Sequence, residues 1–257
     1  MIALMRAEFL KLSSTRTALG LFIAAVVVSL LPAVLIMSLV PRDALSDGGT
    51  AIAATGLALV PILAVVFGIL GMTNEYRHGT ITYTYLATPR RSVVMIVKLV
   101  CYGVVGVVVM AATGLLVVLA IDLIAALRDI ALPWLTTSNI SDLETFRDLG
   151  LVLLTTGMMT AFGISLGALF RAQVPTVAGV VVWALAVESI IAVIKPRVGI
   201  YLPFAAFQQL TFGGSVGAEG SSGLPTLTQP EAFLVAIAYI AVFSVAAVFI
   251  SLRRDVT

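Results

Sequence analysis

The sequence predicts an all-α polytopic membrane protein with six transmembrane helices, and two observations lead to this prediction. Of the 257 residues, 60% are hydrophobic and only 11% are charged, whereas soluble globular domains are about 45–50% apolar and about 25% charged. The hydrophobic residues also form long runs, and six of these runs are close to the roughly 20 residues that a helix needs to cross a bilayer. We therefore expect a single transmembrane domain over residues 1–257.

Each predicted span is an apolar run, and the six runs are 18–40, 51–73, 93–121, 149–170, 175–194 and 232–252. We expect helices because a backbone in lipid must satisfy its hydrogen bonds internally, and the strand alternation of a membrane barrel is absent from the sequence. The first run exceeds the apolar region of a signal peptide, so we expect it to stay in the protein. In the fourth span, Gly163 and Gly167 have the spacing that allows close helix packing.

Residues 2–12 precede the first span and predict an amphipathic helix along the inner membrane surface. One face is apolar and lies opposite Glu8 and Lys11; its residues are Ile2, Met5, Phe9 and Leu12. A straight extension of the first span is the alternative.

The distribution of basic residues predicts the orientation. If the N-terminus is cytoplasmic, ten of the 15 Lys and Arg residues fall in inner segments and five in outer segments. Because inner segments of membrane proteins carry the excess of Lys and Arg, we expect both termini in the cytoplasm.

The largest inner loop is residues 74–92, and it contains signals for a short structured segment. Gly79 permits a sharp turn, Thr80 is a candidate helix cap, and Pro89 disfavours helix at the residue before it. A short helix over 81–87 is therefore predicted. The alternation of Ile81, Tyr83 and Tyr85 fits a strand equally well by pattern, although a lone strand would leave its edges unpaired.

The outer segment 195–230 is the other extended connection that carries a structural signal. Its aromatic part, 201–207, is expected to enter the membrane interface or to re-enter the bilayer before the sixth span. The run 213–223 that follows is rich in Gly and Ser, and we expect it to be mobile.

Signals for enzyme chemistry are absent from the sequence. His78 is the single histidine and the lysines never follow a glycine, so neither a metal site nor the Gly-Lys-Ser/Thr element of a P-loop is predicted. Glu188 is the acid that lies well inside a predicted span, where carboxylates are costly. We expect it either to form a structural pair with Lys195, seven residues later, or to be a polar group of an outer vestibule; the alternative is an ion-coupled secondary transporter that uses Glu188.

Two short blocks in the inner loop resemble a known family. Asn74-Glu-Tyr-Arg-His-Gly-Thr80 is followed by Ala87-Thr-Pro-Arg-Arg91 and then by Lys98. This arrangement is similar to the loop between the second and third spans of type-2 ATP-binding-cassette (ABC) transporter permeases, in particular bacterial half-size exporter subunits. The basic N-terminal helix, the six spans and the aromatic outer segment also match that family.

The resemblance implies a permease subunit in the bacterial plasma membrane, with its inner loop forming a coupling helix that docks on a separate ATPase. The chain itself would bind no cofactor; ATP with Mg²⁺ would be held by two ATPase copies, and a second permease copy would complete the pathway for a drug, antibiotic, peptide or lipid-like substrate. Membrane lipid, and no nucleic acid, is the remaining expected partner. The residues to which the resemblance assigns coupling are Glu75, Arg77, Gly79, Thr80, Ile81, Tyr83, Tyr85, Leu86 and Pro89.

Overall fold

The computed structural model describes residues 2–14, 16–39, 60–129, 143–212 and 226–253, and nearly all of them are helical. Strands are absent from these ranges. In chain order the helices are α1 (Ile2–Ser14), α2 (Arg16–Leu39), α3 (Val60–Arg77), α4 (Ile81–Ala87), α5 (Arg91–Leu127), α6 (Leu143–Phe170), α7 (Gln173–Val182), α8 (Glu188–Ile194), α9 (Pro196–Gly199), α10 (Pro203–Phe212) and α11 (Gln229–Arg253). A π-helical segment, Trp183–Val187, joins α7 to α8.

Within the described residues, four helical segments are long and apolar enough to cross a membrane: Arg91–Leu127, Arg147–Phe170, Gln173–Ile194 and Gln229–Ile250. They coincide with the third to sixth predicted spans. The helical prediction is therefore confirmed for the described residues, and these four spans have the length and composition of membrane-crossing helices. The apolar stretch Phe22–Ile36 inside α2 is shorter, and residues 51–59 of the second predicted span lie outside the described ranges. The number of six spans and the side of the membrane on which the termini lie stay predictions.

Helix α6 occupies the centre of the bundle, where it packs against α3, α5 and α11. Its contact with α3 is close because glycines remove the side chains between the two backbones. A Cβ atom built on Gly163 would lie 2.1 Å from the carbonyl oxygen of Val65, and one on Gly167 would lie 2.9 Å from that of Ile69. The close packing that the spacing of these glycines predicts is therefore present, and its partner is α3 of the same chain.

The short helix α4 lies where α3 ends and α5 begins, and we call this end of the bundle the α4 end. Gly79 makes the turn from α3 with a φ of +67°, a conformation that residues with a Cβ adopt rarely. Thr88 is extended (φ −136°, ψ 91°), as expected for a residue that precedes a proline. The helix predicted for 81–87 is confirmed, and the strand alternative is wrong.

The segment before the last span folds back onto the bundle at the opposite end. Helix α10 packs against α11 and α6, and Phe204 and Phe207 are buried there. The ring of Phe207 lies 5.8 Å from that of Phe162, in α6. Two aromatic residues of this segment, Phe204 and Phe207, are thus built into the protein core, whereas Tyr201 is exposed. The run 213–223 lies outside the described residues.

Candidate functional site

Four charged side chains from three helices form a closed ring of ion pairs at the α4 end. Lys98 Nζ, in α5, lies 2.7 Å from Glu8 Oε2 and 2.7 Å from Glu75 Oε1. Lys11 Nζ lies 2.9 Å from Glu8 Oε1 and 2.9 Å from the same Glu75 Oε1. We call these four residues the ion-pair cluster; with two acids and two bases it carries no net charge.

Three members of the ion-pair cluster are removed from solvent, whereas the side chain of Lys11 is 40% exposed. The side chains of Lys98 and Glu8 are 0% and 1% exposed, and that of Glu75 is 8% exposed. Charges are expensive to bury unless each has a partner, and each of these has at least one. The ring of Tyr102 adds a cation–π contact, since its centroid is 5.6 Å from Lys98 Nζ. Glu75 Oε2 is buried without a hydrogen-bond partner, because both lysines use the other oxygen.

The cluster also fixes the protonation of the residues from α1. Burial alone would raise the pKa of the Glu8 carboxyl, but the ammonium groups of Lys98 and Lys11 outweigh burial and hold that pKa below its ordinary value. Burial alone would lower the pKa of Lys11, but Glu75 and Glu8 outweigh it and raise that pKa. Both residues are therefore charged at neutral pH.

The sequence assigned Glu8 and Lys11 to a polar face opposite the apolar residues of α1, and the structure shows what that face contacts. Both side chains point into the protein and bind α3 and α5, whereas Phe9 is exposed. The helical pattern separates two faces but does not indicate which one meets the protein when lipid and protein interior are both apolar. A lone lysine inside an apolar span, Lys98, was the available signal that a buried acid lies nearby.

One face of α4 is anchored on the bundle. Ile81 is buried in an apolar cluster with residues of α3, α5 and α6, and Thr84 Oγ1 accepts a hydrogen bond from Lys11 Nζ at 3.4 Å. Tyr85 is half-buried: its hydroxyl lies 3.5 Å from that of Tyr76, and the Arg91 guanidinium carbon lies 5.1 Å from the centre of its ring. These contacts connect α4 to α1, α3 and α5.

The other face of α4 is exposed. The side chains of Tyr83 and Leu86 are 75% and 74% exposed, although both are large and apolar. They are three positions apart, so they lie on the same face of the helix. We call these two residues the exposed α4 pair.

Three other residues to which the resemblance assigns coupling, Glu75, Arg77 and Thr80, precede α4. Glu75 and Ile81 are buried, so they contact the bundle around α4 and are not available to a partner protein. Arg77 is exposed, and its guanidinium donates a hydrogen bond to Gln173 Oε1 at 3.2 Å. The predicted cap at Thr80 is wrong: its side chain makes no cap bond to α4, and its hydroxyl instead donates to the carbonyl oxygen of Glu75 at 3.5 Å.

Glu188 lies far from α4 and has a structural role. Its carboxylate accepts hydrogen bonds from the backbone N–H groups of Phe204 and Ala205, both at 3.0 Å. These donors belong to the first turn of α10, where helical N–H groups lack partners within the helix. Oε1 of Glu188 also accepts a bond of 2.9 Å from Trp183 Nε1. The expected pairing with Lys195 is wrong, because the partners of Glu188 are these three donors.

The π-helical segment explains how Trp183 and Glu188 meet. The two residues are five positions apart, and an α-helix brings together residues three or four positions apart. A π-helical turn closes i→i+5 bonds, so it places Trp183 and Glu188 on one face. Sequence patterns give little indication of such a turn, and this contact could not be predicted.

In the described residues, a bundle of helices, four of them long and apolar enough to cross a membrane, has the architecture of the polytopic α-helical class of membrane proteins. More specifically, the chain belongs to the family DUF2705, which is described as a protein family of unknown function; the family model matches residues 46–257. Searching the curated proteins gave no match to the chain.

Proposed function

We propose that this chain is the transmembrane permease subunit of an ABC exporter and that the exposed α4 pair docks on a separate ATPase subunit. The observation that carries the proposal is the contrast between the two faces of α4. One face is held by buried contacts with three other helices, and the opposite face presents Tyr83 and Leu86 to solvent. Large exposed apolar side chains on a rigid element are typical of protein-binding surfaces. The resemblance of residues 74–91 to type-2 permeases supplies the identity of the partner.

The ion-pair cluster supports a role for α4 in transmitting motion. Glu75 lies two residues before the end of α3, and Lys98 lies in the second turn of α5, so the cluster clamps both helices beside α4. Lys11 adds α1 and also contacts Thr84 of α4. A displacement of the exposed α4 pair would therefore move α1, α3 and α5 together, since breaking a buried ion pair is more costly than moving it intact.

In the proposed complex, two copies of the permease and two ATPase subunits form the exporter in a bacterial plasma membrane. ATP with Mg²⁺ binds to the ATPase subunits, and the α4 end faces the cytoplasm together with both termini. The substrate is a drug, antibiotic, peptide or lipid-like molecule. The alternative, ion coupling through Glu188, gains no support from its geometry, because both carboxylate oxygens already accept hydrogen bonds from the protein.

The proposal is tested by co-expressing the chain with an ATPase that carries a P-loop and is encoded beside it. The double variant Tyr83→Ala/Leu86→Ala should lose co-purification with the ATPase and stimulation of ATP hydrolysis, while it inserts into the membrane normally. The matched control replaces two exposed apolar residues of α5, Leu115→Ala/Leu119→Ala, and should behave as wild type. Glu75 is unsuitable as the test position because its replacement would disturb the buried cluster.

Two results would refute the proposal. One is wild-type ATPase binding and hydrolysis by the Tyr83/Leu86 double variant. The other is transport in ATP-free vesicles that is driven by an ion gradient and is abolished by Glu188→Gln. The second result would establish the ion-coupled alternative instead.

A further inference from the structure

A large cavity lies between α6, α7 with its π-helical segment, α10 and α11. Its volume is about 780 Å³, which is within the range of about 300–1,000 Å³ that is typical of small-molecule sites. Phe162 of α6, Gly179 of α7 and Phe243 of α11 contribute to its walls, and Pro203 and Phe204 of α10 close the end away from α4. The cavity opens on the outer surface of the bundle, because its lining residues Phe170 and Trp183 are exposed.

The lining offers an occupant apolar contacts and no free side-chain donor. Among the described residues that form the walls, none is charged. Three carry a polar hydrogen, and each donates it within the protein: Trp183 to Glu188, Tyr239 to the carbonyl oxygen of Tyr201, and Thr176 to that of Ala172. A polar occupant would lose its hydrogen bonds to water without replacement, which is costly. The occupant is therefore hydrocarbon where it contacts the walls.

The surroundings determine where such hydrocarbon comes from. Helices α6 and α11, and the segment that α7 begins, are among those able to cross a membrane, so the open side of the cavity faces lipid. An empty apolar space of this size would deprive its lining of dispersion contacts. We propose that the cavity binds one acyl chain of a membrane phospholipid. This inference does not depend on an ATPase partner.

The contacts of Glu188 make this a built site rather than a gap between helices. Trp183 belongs to the side wall, and its indole N–H is bonded to Glu188; the same carboxylate holds the N–H of Phe204 in the end wall. One side chain thus fixes the side wall and the end wall relative to each other. The acyl chain enters from the open side, where the lining residues Phe170 and Trp183 are exposed.

Gly179 permits a direct test because it lies in the wall and a Cβ atom there would have no atom within 4 Å. Gly179→Phe should place an aromatic ring inside the cavity and obstruct the path of an acyl chain without displacing the backbone. Gly150→Phe is the matched control: it is also in a helix with no atom within 4 Å of its Cβ, but it is not a lining residue. The protein is purified in mild detergent from the membranes in which it is expressed, and native mass spectrometry counts retained phospholipids. Wild type and Gly150→Phe should retain one phospholipid per chain, and Gly179→Phe should lose it.

A second measurement locates the lipid and needs no variant. Wild-type protein is reconstituted in phosphatidylethanolamine and phosphatidylglycerol vesicles that contain a phosphatidylcholine with a diazirine in its acyl chain. After illumination, adducts should form on the buried wall residues Thr176 and Val180 as well as on the lipid-facing Leu115 and Leu119. Three results would overturn the proposal: retention of phospholipid by Gly179→Phe, a retained molecule that is not a phospholipid, or labelling of Leu115 and Leu119 without labelling of the wall.

Discussion

Lys98 Nζ lies 2.7 Å from Oε2 of Glu8, a residue 90 positions earlier in the chain. This contact joins the N-terminal helix to the start of a membrane-crossing helix in a place that water does not reach. Lys11 binds Glu8, and Glu75 binds both lysines, which closes the ring of ion pairs. The stability of the α4 end therefore depends on four residues from three segments that are distant in sequence and adjacent in space.

Removing one member of the ion-pair cluster should be more harmful than removing a matched pair. Lys98→Met leaves Glu8 and Glu75 with one ammonium group between them, and it should lower the free energy of unfolding by about 3–5 kcal/mol. The double variant Lys98→Met/Glu8→Gln restores neutrality and should be more stable than the sum of the single variants predicts. Unfolding by SDS titration measures both. Additive losses would show that the two side chains do not interact.

The same cluster predicts a loss of stability in acid. The pKa of Glu8 is held below its ordinary value of 4.5, so the stability that Glu8 contributes is present above about pH 4.5 and is lost as the pH falls through the lowered pKa. The ammonium groups of Lys98 and Lys11 lie against its carboxylate. The melting temperature in detergent should therefore decrease as the pH is lowered below 4.5. The Glu8→Gln variant should have a lower melting temperature at neutral pH and a smaller decrease in acid. Replacing the exposed acid Asp148 by Asn should leave the wild-type profile unchanged.

Glu188 should be needed for the folding of α10 more than for any reaction. Glu188→Ala leaves two backbone N–H groups and the Trp183 indole without their acceptor, at a cost of about 1–3 kcal/mol for each donor that stays buried. Hydrogen exchange at the amides of Phe204 and Ala205 should accelerate. Trp183→Phe removes one of the three bonds and should leave both amides protected. Unchanged exchange in Glu188→Ala would disprove the capping role.

One substitution should have opposite effects at two glycines of α6. Gly163→Ala places a Cβ 2.1 Å from the Val65 carbonyl oxygen and should destabilise the protein by about 1–3 kcal/mol, as overpacked cores do. Gly150→Ala meets no neighbouring atom and should be neutral or should stabilise by up to about 1 kcal/mol, because Ala favours helix more than Gly. Both variants can be compared by SDS titration. Equal effects would mean that α3 and α6 are not in backbone contact.

The helices and the turns around α4 could be predicted from the sequence because their signals are local. Long apolar runs indicate spans, and Gly79 and Pro89 bound a helix between them. The ion-pair cluster could not be predicted, because nothing local indicates that Glu8 and Lys98 meet. The partners of the charged face of α1 could not be predicted for a related reason: in a membrane protein an apolar face can meet lipid while the charged face meets the protein.

The buried acids Glu75 and Glu188 also show that local sequence does not identify the partner of a buried charge. Glu75 was predicted to face a partner because it lies in a loop motif, yet its neighbours from α1 and α5 enclose it. Glu188 was predicted to pair with a lysine because of helical spacing, yet a π-helical turn directs it towards the backbone of α10. In both cases the partner is set by packing between helices, which local sequence patterns do not contain.

The π-helical segment Trp183–Val187 makes residue count critical in this part of the chain. Each residue advances an α-helix by about 100°, so deleting a single residue between Trp183 and Glu188 would turn the carboxylate away from α10 even if every remaining side chain were unchanged. Changes of residue type are therefore easier to accommodate here than changes of length. Family members with an acid at the position of Glu188 should also keep it as the fifth residue after the aromatic residue that corresponds to Trp183.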